Sequence, residues 1–234
     1  MSAKRNKKLK KAIKIILLFI VAIVLFFILN PSEEDYLIKD LNKKSSMYLE
    51  ECNNVNDNYL KILKLMYPNE EDIEKFIKNN ITYAIIDREV IDSNSMDISY
   101  MSFYVKVSIN VKSYNYANAY KNAVLKTNEF INKNNSIGRE AIQKYFYEQL
   151  EKEGQLIIQN NQMTTNIVYR CSKEHEIGGS KMEIKTYIIY PLPDQKNNMD
   201  LANAILGGLV EEMDKTKLPK GVDLEDTLQL MGIE

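Results

Sequence analysis

His175 is the only histidine among the 234 residues, and histidine is the side chain best suited to proton transfer near neutral pH. It stands among Lys173, Glu174 and Glu176, beside Gly178 and Gly179, a context that reads as a solvated loop. One histidine cannot furnish the multi-histidine zinc site of a hydrolase. Cys171 lies four residues upstream and would have to act as nucleophile with His175 as base. Along a strand at about 3.3 Å per residue the two sit roughly 13 Å apart, so only a sharp bend would let them meet. The chain holds no G-x-x-x-x-G-K-[ST], G-x-G-x-x-G or H-E-x-x-H, so the phosphate, dinucleotide and zincin chemistries have no local signature. The carboxylate pairs Glu33-Glu34, Glu70-Glu71 and Glu211-Glu212 fall at helix ends or on exposed faces. There they are solvated charges, not acid–base dyads. No catalytic, metal-ligating or cofactor-binding residue is expected, and the chain reads as no enzyme.

The informative polar residues lie on strands. Met101, Phe103, Val105, Val107, Ile109 and Val111 alternate with Tyr100, Ser102, Tyr104, Lys106, Ser108 and Asn110. Period two at this length puts one face on a core and leaves the other wet or in contact. Met163, Thr165, Ile167, Tyr169 and Cys171 alternate with Thr164, Asn166, Val168 and Arg170. Residues 176–180 supply a turn, Met182 to Tyr190 alternate back, and Pro191 and Pro193 close the strand. Paired this way, Tyr100, Tyr104, Lys106, Asn166, Arg170, Lys185 and Tyr187 share the wet face. Tyr and Arg are residues that interfaces favour, and Tyr also simply suits strands. These seven are the candidate contact surface.

Helices must hold that sheet. Ser32 with Glu33, Glu34 and Asp35 opens a helix running to about Asn54. Tyr59, Ile62, Leu63 and Met66 make a second stripe, and Ile73, Phe76 and Ile77 a third. A strand is expected from Ile81 to Ile91, with a turn at 92–95. Tyr116 to Ile131 and a helix capped by Ser136 and ended by Gly154 follow the long strand. A last helix carries Leu201, Ile205, Leu209 and Met213 with Gly207-Gly208 inside it, which implies close packing. From Lys215 a tail is expected, with one short helix from Asp223 to Leu230.

Ala12 to Leu29 is apolar except for Lys14. Eighteen helical residues reach roughly 27 Å, close to a hydrocarbon core. Lys4, Arg5, Lys7, Lys8, Lys10, Lys11 and Lys14 lie at its start, and Glu33, Glu34 and Asp35 follow its end. The asymmetry predicts a transmembrane signal anchor over 12–29, a cytoplasmic basic tail over 1–11, and a single-pass protein of the cell membrane with an extracytoplasmic domain. No small-residue cleavage site follows the run, which argues against a cleaved signal peptide. Of 31 Lys and Arg and 32 Asp and Glu, 24 basic residues remain against 32 acidic outside the N-terminal stretch. That excess of acid disfavours nucleic acid as a partner. Two cysteines, Cys52 and Cys171, sit among apolar positions and read as buried thiols, although an extracytoplasmic site would permit a bridge.

Three local patterns carry a resemblance: Ile81-Thr82-Tyr83-x-Ile85 after a helix-ending Asn pair, the alternating strand Ser99 to Val111 running into a helix, and Asn203-Ala204-Ile205-Leu206-Gly207-Gly208-Leu209. The order of elements resembles the nuclear-transport-factor-2-like extracytoplasmic domains of low-GC Gram-positive lipoproteins and membrane-anchored proteins, over roughly Glu33 to Asp214. The chain departs from those lipoproteins in lacking a lipidated cysteine. The resemblance implies an α+β domain over 32–214, a cone-like curved antiparallel sheet wrapped by helices, followed by a tail over 215–234. The same fold serves catalysts and passive modules. The apolar core-facing positions favour a non-catalytic interaction or assembly module that binds itself or an envelope protein. A small-ligand-binding sensor domain and an assembly factor of a conjugation or type IV secretion machine are the alternatives.

Overall fold

Residues 13–17, 19–21, 33–95, 100–134, 136–157, 160–176, 183–191 and 195–233 are described by the structure, a computed structural model. Contacts divide the chain into a unit of residues 1–39 and a unit of residues 40–234.

In the first unit, 13–17 and 19–21 are helical. The expected transmembrane signal anchor over 12–29 is corrected here. Among the described residues no helix is long and apolar enough to cross a membrane. The single-pass cell-membrane localisation, with cytoplasmic N-terminus and extracytoplasmic domain, falls with it. The remaining positions of that stretch, and the basic tail over 1–11, lie outside the described residues.

Among the described residues eight helices and four strands follow in the order α1 (Glu33–Val55), α2 (Asn58–Met66), α3 (Ile73–Asn79), β1 (Thr82–Ser95), β2 (Tyr100–Tyr114), α4 (Tyr116–Lys133), α5 (Arg139–Leu156), β3 (Asn160–Glu176), β4 (Glu183–Pro191), α6 (Gln195–Ile205), α7 (Leu209–Lys215) and α8 (Leu224–Met231). The strands form one sheet in the order β1-β2-β3-β4, and every pair is antiparallel.

Register explains which face is buried. Val105, Val107, Ile109 and Val111 stand opposite Tyr169, Ile167, Thr165 and Met163. Val107, Ile109, Val111, Ile167 and Tyr169 are at most 1 % exposed, as strict alternation on a half-covered sheet requires. Leu41, Tyr48, Leu49 and Cys52 of α1, Ile62, Leu63 and Met66 of α2, Phe146 and Leu150 of α5, and Leu201 and Ile205 of α6 are also buried. Asn198 of α6 donates to Glu51 of α1 at 2.5 Å, which ties the two helices.

Four local expectations are revised. β1 continues through 92–95, so the expected turn there is strand. The helix expected to start at Ser136 starts at Arg139 with Gly138 as its N-cap. Gly154 does not end that helix but sits within its last turn, where a Cβ would come 2.8 Å from Cβ of Met66. The helix expected to run through Gly207-Gly208 breaks there into α6 and α7, and both glycines have positive φ.

Candidate interaction surface

The antiparallel register decides where the seven candidate residues stand. Tyr104 is opposite Arg170, Lys106 opposite Val168, and Ser108 opposite Asn166. Glu174 is opposite both Tyr100 of β2 and Lys185 of β4, and Ser172 is opposite Tyr187. Directly opposed residues share a face. All seven positions therefore fall on the face opposite to Val107 and Ile167, across three strands. Tyr104 and Lys106 are half-buried, and Asn166 is exposed. Two contacts organise the face. Lys106 Nζ donates to Glu89 Oε2 at 2.9 Å across β1 and β2. Ser108 Oγ donates to Asn166 Oδ1 at 2.7 Å across β2 and β3.

β4 covers only part of β3. Their pairing runs from Tyr169 opposite Pro191 to Glu176 opposite Glu183. Past Pro191 only three residues separate β4 from Gln195, where α6 begins. Among the described residues no strand continues this ladder along 160–166. α6 lies there instead. Ser113, whose register partner is Asn161, donates from Oγ to the carbonyl of Ala204 at 2.9 Å. Asn161 Nδ2 donates to the carbonyl of Gly207 at 3.3 Å.

Between this half of β3 and α6 runs an open groove of about 520 Å³. Met163, Thr164, Thr165 and Asn166 of β3, Lys196, Asp200 and Asn203 of α6, Glu211 of α7 and Lys106 of β2 line it. Four consecutive β3 residues line it, which a strand does along its edge rather than from one face. A second hollow of about 300 Å³ shares Met163 and Glu211 and continues it past Gly207 and Gly208. Of the lining residues, Lys106 and Asn166 are among the seven candidates, and those of α6 and α7 are not. Pro191, at which the described pairing of β4 with β3 ends, was the one signal.

The groups that could do chemistry are positioned otherwise. Cys52 is a free thiol, 1 % exposed, and burial pushes it up to about 12. Burial likewise holds the hydroxyls of Tyr48, Tyr83 and Tyr116 above the ordinary tyrosine range. β3 runs unbroken through Cys171 and His175, so their backbones keep strand spacing. Among the described residues no group of three His, Cys, Asp or Glu could hold a metal ion. Among the described residues Glu153 is the carboxylate with least exposure, 8 %. It links α5 to α4 by accepting from Lys126 Nζ and from Asn122 Nδ2 at 3.1 Å. No family model, curated protein or solved structure matches the chain.

Proposed function

We propose that the chain is a non-catalytic interaction module and that the polar face of its sheet is the contact surface. The observation that supports this most is the register, which gathers Tyr100, Tyr104, Lys106, Asn166, Arg170, Lys185 and Tyr187 on one face of three neighbouring strands. This face is stiffened where β2 is laddered on both sides, and β3 likewise over 169–176. Side chains presented from it meet a partner with little ordering still to be done. Tyrosine and arginine are also the residue types that concentrate binding energy in a small area. The partner is a second copy or another protein.

The test is the hydrodynamic size of the full chain, alone and in cell extract, with a photo-crosslinker at position 104. The expected result is a species larger than the monomer, which the double variant Tyr104→Ala, Arg170→Ala shifts back toward monomer size. An unchanged size in that variant, with no crosslink from position 104, ends the reading.

A further inference from the structure

We draw no further inference here: the strongest candidate, the groove between β3 and α6 lined by Thr164, Asn166 and Asn203, carries nothing, because Lys106 and Glu211 in it are paired with Glu89 and Lys215 and nothing in the structure shows what occupies it.

Discussion

Gly207 and Gly232 share a backbone conformation and differ in everything around it. Their φ angles are 56° and 67°, a region that other L-residues enter at about 1–2 kcal/mol. A Cβ on Gly232 would meet nothing within 4 Å, whereas on Gly207 it would come 1.8 Å from the carbonyl oxygen of Tyr114. Gly232→Ala should therefore lose roughly 1–2 kcal/mol in urea unfolding. Gly207→Ala should lose more than about 4 kcal/mol, because β2 or α6 must move. Equal losses would mean that the close approach to Tyr114 does not matter. The glycine pair was legible as a site of close packing. The break it makes in the helix was not, because periodicity of Leu201, Ile205 and Leu209 carries across it. Cys52 offers a second check at this scale. With its thiol raised to about 12 by burial, it should not react with a thiol reagent at about pH 8 in native Cys171→Ser protein, and should react fully once unfolded. Rapid native modification would contradict its burial.

At the scale of elements, alternation made β2 and β3 readable, and the stripes on α2 to α4 likewise, because each has one face on a core. Contacts between distant elements were not readable. The link from α4 to α5 through Glu153 joins residues 27 and 31 positions apart. Burial by itself raises the Glu153 carboxyl, but the hydrogen bonds from Lys126 and Asn122 outweigh it, and the net direction is down. A folded value below the unfolded one, about 4.3, gives stability that is whole above that pH and is lost as pH falls through the folded value. The stability gap between wild type and Glu153→Gln should thus be constant near neutrality and shrink from about pH 5 toward pH 3. A gap independent of pH would show that the charge contributes nothing. β1 supports another expectation. Ile86, Val90 and Ile91 are 56 %, 61 % and 49 % exposed, so Asp87, Arg88 and Glu89 are what keep this edge from pairing. Arg88→Val with Glu89→Val should produce concentration-dependent oligomers in light scattering, and Asp92→Val should not reproduce it.

At the scale of the whole molecule, the unit that begins at Asp40 runs to the last residue. The short helix near the C-terminus was legible, expected from Asp223 to Leu230 and found at Leu224–Met231. Its docking was not, since no local pattern names a partner. α8 packs against α2 and α5. Asp223 caps it by accepting from the N–H groups of Glu225 and Asp226 at 3.0 and 3.1 Å. Leu224 and Leu228 are 4 % and 7 % exposed, which contributes roughly 3–6 kcal/mol at about 1.5–3 kcal/mol per side chain. Lys61 to Glu225 at 2.9 Å and Arg139 to Asp226 at 2.6 Å cross to the neighbouring helices. All four groups are partly exposed, so these pairs add little. The apolar contacts decide the outcome, and this orders three variants. Asp223→Ala should lose about 1 kcal/mol through the cap. Glu225→Gln with Asp226→Asn should lose under about 1 kcal/mol. Leu228→Ala should lose about 2–5 kcal/mol. Removal of residues 223–234 should lower the melting temperature at least as far as Leu228→Ala, and the whole unit should melt in one transition. If the truncated chain melts where the full chain does, α8 is an appendage and not part of the core.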